Sequence, residues 1–132
     1  MATVLVVDDR PENRDLLIYL LGYFGHEVSS AADGAEAIRA AMAYPPDLIL
    51  MDLAMPGMDG YTAAGLMRSD ETLRNVPLVA VSATGSATPE TAKAAGFDAF
   101  YPMPIDPRDF MTRIEPFLTN RDAAADRMRS TQ

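Results

Sequence analysis

The sequence predicts a doubly wound α/β domain: five parallel strands in the order 2-1-3-4-5, with five helices on the two faces of the sheet. Three observations predict it. Short apolar runs alternate five times with stretches of helical period. Two of those runs, Val4-Leu5-Val6-Val7 and Leu48-Ile49-Leu50-Met51, are apolar at every position, as strands covered on both faces must be. Each of the two leads into aspartate, Asp8-Asp9 after the first and Asp52 after the second. The strand order is taken by analogy with other doubly wound sheets, in which sites form outside the carboxyl ends of strands where the order reverses.

The elements follow in order. Thr3 to Val7 reads as a buried strand. Pro11 suits a first helical position, and Leu16, Leu17, Leu20, Leu21 and Phe24 repeat with helical spacing until Gly25 stops the run. Glu27 to Ala31 is a shorter, more polar strand. Asp33 and Glu36 have capping-box spacing, and Ala37, Ile38, Ala41 and Met42 mark the apolar face of the second helix, which Pro45-Pro46 ends. Asp47 to Met51 forms the third strand, a loop carries Asp52 to Asp59, and a helix runs from Gly60 to Ser69 with Asp59 as its N-cap. Leu78 to Val81 is the fourth strand, and Ser82-Ala83-Thr84-Gly85 is a loop. Thr88-Pro89 opens the fourth helix and Gly96 closes it. Asp98 to Tyr101 is the fifth strand. Asp106-Pro107 starts a last helix with Phe110, Met111, Ile114, Phe117 and Leu118 toward the core, and Pro116 predicts a kink or early end. Residues 1–119 form one domain and 120–132 a polar tail or helix extension.

Bulk properties narrow the function. The 132 residues carry 11 Lys+Arg against 19 Asp+Glu, a net charge of -8, so no electrostatic footprint for nucleic acid exists. No apolar run approaches the ~20 residues of a membrane helix and no signal-peptide pattern opens the chain, which points to the cytoplasm. The absence of cysteine excludes disulfide and thiolate chemistry. His26, in a loop after Gly25, is expected to be exposed and is not assigned as a ligand.

If the first and third strands are neighbours, Asp8, Asp9 and Asp52 converge at one end of the sheet. Clustered carboxylates repel and raise one another's pKa unless a proton or a hard cation neutralises them, so the cluster points to a magnesium-type site.

These residues resemble the receiver domain of two-component response regulators, over Thr3 to Leu118. The resemblance is carried by the acidic pair Asp8-Asp9, by Asp52, by the turn Met55-Pro56-Gly57-Met58-Asp59-Gly60, by Ser82-Ala83 after strand four, and by Phe100 in strand five. It implies a flavodoxin-like fold and a chemotaxis-type single-domain regulator. It further implies that Asp52 accepts a phosphoryl group from a histidine kinase or phosphotransfer protein. Mg2+ (or Mn2+) would be held by Asp9, Asp52 and the backbone carbonyl of Ala54, with Asp8 in support. Ser82 would be the switch hydroxyl and Phe100 the switch aromatic. Output would pass to a downstream protein, or to a homodimer partner, through the face of helix 4, strand 5 and helix 5. On this reading the chain is not an enzyme but a phosphoacceptor that assists its own phosphoryl transfer and hydrolysis.

One family residue is missing. Where the family has a lysine before a proline after strand five, this chain has Met103 before Pro104. Lys93, the only lysine, lies in the fourth helix, and Arg108 lies in the first turn of the fifth. A cation ~4 Å from a phosphoryl oxygen is worth on the order of 4 kcal/mol at an effective dielectric near 20, before desolvation, so coupling to output should be weakened. Metal binding should survive, because methionine is neutral. The competing reading is a degenerate receiver acting as a phosphorylation-independent interaction module. Against it, a site freed from phosphate chemistry has no need of three mutually repelling acids. A phosphohydrolase lacks its second acid, since Ala54 stands two residues after Asp52. Flavin binding lacks a phosphate loop after strand one.

Overall fold

The computed structural model describes residues 1–83 and 87–130, with side chains as far as Thr119. The loop assignment of Thr84-Gly85 and the last two residues of the tail fall outside them. The elements are β1 (Thr3–Val7), α1 (Pro11–Tyr23), β2 (Glu27–Ala31), α2 (Gly34–Ala43), β3 (Leu48–Met51), α3 (Gly60–Arg68), β4 (Leu78–Ser82), α4 (Pro89–Ala95), β5 (Ala99–Pro102) and α5 (Pro107–Ser130). All strand pairs are parallel, as the alternation predicts, and the order is β2-β1-β3-β4-β5, the one expected by analogy with other doubly wound sheets.

Side chains alternate across a strand, so each uninterrupted apolar run feeds two cores. Leu5, Val7, Ile49, Met51, Leu78 and Ala80 pack with Ala37, Ala63, Met67 and Ala92 of α2, α3 and α4. Val4, Val6, Leu48, Leu50, Val79 and Val81 pack on the other face with Leu17, Leu21, Phe110 and Ile114 of α1 and α5. The sheet is thus a wall between two apolar layers, with polar residues on the edge strand β2 and at the strand ends.

Caps follow the expected chemistry. Asp59 accepts a hydrogen bond from Thr62 N at 2.8 Å and Asp33 one from Glu36 N at 2.8 Å. Thr88 and Thr91 form a reciprocal capping box, and Gly96 ends α4 at φ 111, a left-handed conformation suited to glycine.

Several expectations are corrected. Asp47 lies outside β3; it is buried, and its carboxylate accepts from Thr3 N at 2.8 Å, a tie between strand starts that an apolar-run reading misses. Leu16, Phe24 and Met42 are exposed rather than core-facing, because only a narrow stripe of α1 and α2 reaches the sheet. β4 includes Ser82, and β5 runs from Ala99 to Pro102 instead of starting at Asp98. α3 stops at Arg68, with Ser69 as its C-cap. Pro116 neither ends α5 nor kinks it into two elements, since the helix continues to Ser130. His26 is half-buried, its Nδ1 accepting from Ala2 N at 3.1 Å; burial lowers its pKa, and the N-terminal ammonium adds to the effect.

Candidate functional site

Register builds the site. Val7 is paired with Met51, so the residues that follow them emerge side by side at the carboxyl edge. Asp52 N donates to Val7 O at 2.9 Å and Asp8 N to Ala31 O at 3.1 Å, which carries the ladder one residue past the strands and fixes both acids. Asp8, Asp9 and Asp52 each offer a carboxylate oxygen, and the three lie within 4.8 Å of one another. The convergence expected from the sequence is therefore realised.

The three acids differ in surroundings. Asp8 is 4% exposed, buried although it lies just past the end of β1. It accepts from Arg10 N at 2.9 Å and from Asn13 Nδ2 at 3.2 Å, while Arg14 Nη1 donates to its backbone carbonyl at 2.7 Å. Burial pushes its pKa above the ordinary 3.8, and the Asp52 charge adds to the rise against the opposing Arg10 hydrogen bond. Asp52 is raised too, first by burial and then by the Asp9 charge, against hydrogen bonds from Ala54 N, at 3.3 Å, and from the Ser82 hydroxyl. Two acids held above their ordinary pKa beside a third, with oxygens converging, form a hard-donor set that suits an oxygen-loving divalent ion.

The cleft around them measures about 220 Å³ and is lined by Asp8, Asp9, Arg10, Asn13, Asp52, Ala54, Val81, Ala83 and Met103. Met103 thus stands in the cleft, its amide donating to Ser82 O at 3.0 Å. Neither Lys93 nor Arg108 is among these lining residues; Arg108 instead lines a groove between α1 and α5 with Phe24 and His26. Phe100 is also apart from the cleft, half-buried against the α2–α3–α4 core.

Three contributors went unread in the sequence. Asn13 and Arg14 sit in the first turns of α1, where the periodicity flags only their apolar neighbours. Gly60 carries a sequence signal only as a helix start and as the last residue of the Met55–Gly60 turn, with nothing to show its contact with the acid loop. A Cβ on it would collide with the Asp52 carbonyl oxygen and come within 2.9 Å of Leu53 Cα, so α3 begins directly against the backbone of the acid loop.

The model of the response regulator receiver domain matches residues 4–115. The chain belongs to this family. It is 32% identical to the polar-differentiation response regulator DivK of Brucella ovis, over 88% of this chain and 95% of DivK. It is also 31% identical to the DNA-binding dual master transcriptional regulator RpaA of Synechocystis, over 92% of this chain; it spans about half of that longer protein, 51%. Among solved structures, the receiver domain of the sensor histidine kinase PA1611 from Pseudomonas aeruginosa matches with a TM-score of 0.81 and 30% identity, over 89% of this chain and 97% of that one. That domain has a magnesium ion coordinated in its active site cleft. Among the described residues of this receiver, no helix is long and apolar enough to cross a membrane.

The raised acids give the receiver a definite pH signature. A carboxyl whose native pKa exceeds its unfolded value keeps protons that the unfolded chain has released, so stability falls as pH rises through that interval. For Asp8 and Asp52 the interval starts at the ordinary 3.8 and ends at their raised native values. In metal-free buffer, urea midpoints of the unsubstituted protein should therefore decline relative to those of Asp52→Asn as pH rises from about 4 toward neutrality. Parallel profiles would show that Asp52 is not strained by its neighbours.

Proposed function

We propose that this receiver accepts a phosphoryl group on Asp52 from a histidine kinase or phosphotransfer protein and signals by protein contact in the cytoplasm. The observation that carries the reading is the convergence of Asp8, Asp9 and Asp52 within 4.8 Å, in a cleft open enough for a phosphoryl group. An Asp52 carboxylate oxygen attacks the phosphorus of a phosphohistidine. The P–N bond breaks as the P–O bond forms, its electron pair stays on the imidazole nitrogen, which takes up a proton, and an acyl phosphate remains on Asp52. Hydrolysis later returns the carboxylate and inorganic phosphate.

The same acids fit Mg2+ or Mn2+, by the chemistry of the donor set and by likeness to the magnesium-bearing PA1611 domain. Asp9, Asp52 and the Ala54 carbonyl would hold the ion, with Asp8 in support through its fixed position. Bound there, it supplies charge neutralisation to the oxygens of the transferring group. The chain is a phosphoacceptor that assists its own transfer and hydrolysis rather than an enzyme acting on separate substrates.

Ser82 is the switch hydroxyl. It is bonded to the unmodified Asp52 carboxylate, and on phosphorylation the bond passes to a phosphoryl oxygen, which is the differential interaction a two-state switch requires. Phe100, half-buried, turns inward in response. The change is read at the surface of α4, β5 and α5 by a downstream protein or a second copy. A small phosphodonor with magnesium tests the reading: the intact mass should rise by one phosphoryl group in the unsubstituted chain and stay unchanged in Asp52→Asn. No gain in either would favour an interaction module that works without phosphate.

A further inference from the structure

The cleft holds one cation that neither the fold nor the acid cluster engages. Among the described residues lining it, Arg10 is the only basic one, beside Asp8, Asp9, Asp52 and the neutral Met103. Its amide donates to Asp8 Oδ1 at 2.9 Å, so its backbone is anchored at the site. Its side chain is exposed, and among the described residues the guanidinium has no hydrogen-bond or ion-pair partner. Nor does it cap α1: Arg10 is the N-cap residue but makes no side-chain cap bond. The neighbouring Arg14 is committed to the Asp8 carbonyl. A guanidinium fixed as a counter-ion of the acids would pair with one of them within 4.0 Å, and this one does not.

We infer that Arg10 is the cation that meets the phosphoryl group on Asp52, filling the electrostatic role that Met103 leaves empty. The inference rests on the phosphoacceptor reading above. The guanidinium comes from the loop after β1 rather than the loop after β5, two strands that lie on opposite sides of β3 in the sheet. A guanidinium suits the task because its planar fork of N–H donors can bond two phosphoryl oxygens together, and because it stays charged at every working pH. Its charge is spent only when the phosphoryl group is present, since the unmodified acids leave it free. An exposed cation is screened by salt, so its contribution carries an ionic-strength dependence that a packing role would lack.

The test compares unsubstituted protein, Arg10→Gln, Arg10→Lys and the double substitution Arg10→Gln, Met103→Lys. Each is titrated with magnesium alone and with magnesium plus beryllium trifluoride, a phosphoryl analogue, and its phosphorylation by a small phosphodonor is timed. Arg10→Gln removes no cap and leaves the amide in place, so the fold is retained. We expect it to lower analogue affinity and phosphorylation rate roughly tenfold at low salt, below the hundredfold and more seen for buried oxyanion donors. The difference should shrink as salt rises. Arg10→Lys should keep most of the effect and the double substitution should recover it, while affinity for magnesium alone should not fall. Equal analogue affinity and rate in unsubstituted and Arg10→Gln proteins would overturn the inference while leaving Asp52 as acceptor. A matching loss of magnesium affinity would also overturn it, by showing that Arg10 only shapes the metal site. Absence of any phosphoryl gain in the unsubstituted chain would overturn the phosphoacceptor reading itself, and this inference with it.

Discussion

Magnesium at about a hundred times its dissociation constant should raise the unfolding free energy by about 2.7 kcal/mol, or roughly 10 °C in melting temperature for a domain of this size. The gain would arise because the acids proposed to hold the ion converge only in the folded chain. In the metal-free protein Asp52 is a half-buried carboxylate beside Asp9, a cost that the ion removes. Asp52→Asn should therefore melt higher than the unsubstituted chain in chelator, yet gain far less on adding magnesium. Differential scanning calorimetry of both proteins, with and without the ion, checks the crossing of the two effects. The shift should also weaken toward acid pH, as Asp8 and Asp52 take up protons that compete with the metal.

Gly60→Ala should cost about 1–3 kcal/mol, the range for forcing an extra carbon into a packed interior. Its neighbours are backbone atoms rather than flexible side-chain ends: the Asp52 carbonyl oxygen, Leu53 Cα at 2.9 Å and the Asp52 carbonyl carbon at 3.1 Å. They cannot yield without moving the acid loop, so the damage extends to the site. A displacement of about 1 Å in a reacting group can cost on the order of a hundredfold in rate, and phosphorylation should fall along with stability. Urea unfolding and a phosphorylation time course on the same preparation measure both. A variant that loses stability yet phosphorylates normally would show that Gly60 packs α3 without positioning Asp52.

The fold was legible because each strand and helix carries its own periodicity, and strands one and three are apolar without interruption. The acid cluster was legible for a related reason: two apolar runs ending in aspartate, once paired in parallel, leave their carboxylates no other place to go. What stayed hidden depends on partners distant in sequence. The Asp47 side chain belongs to the start of β1 through Thr3, and nothing in its own neighbourhood says so. Gly60 has an ordinary helix-start context and shows its role only against the Asp52 backbone. The exposure of Leu16, Phe24 and Met42 depends on how far each helix leans on the sheet, which spacing alone does not determine. Neither Lys93, far along the chain from Met103, nor Arg108 in the first turn of α5 carries a sequence signal of reach, and Arg10, which lines the cleft from the loop after β1, is distant in sequence from the position of the missing lysine.

Reduction of the phosphorylated protein with borohydride, followed by peptide mass mapping, tests the acceptor most directly, because an acyl phosphate is converted to the alcohol and its carboxylate is marked in place. The mark should fall on Asp52 alone, as homoserine. A mark on Asp8, Asp9 or Asp59, or none after treatment with a phosphodonor and magnesium, would contradict the account.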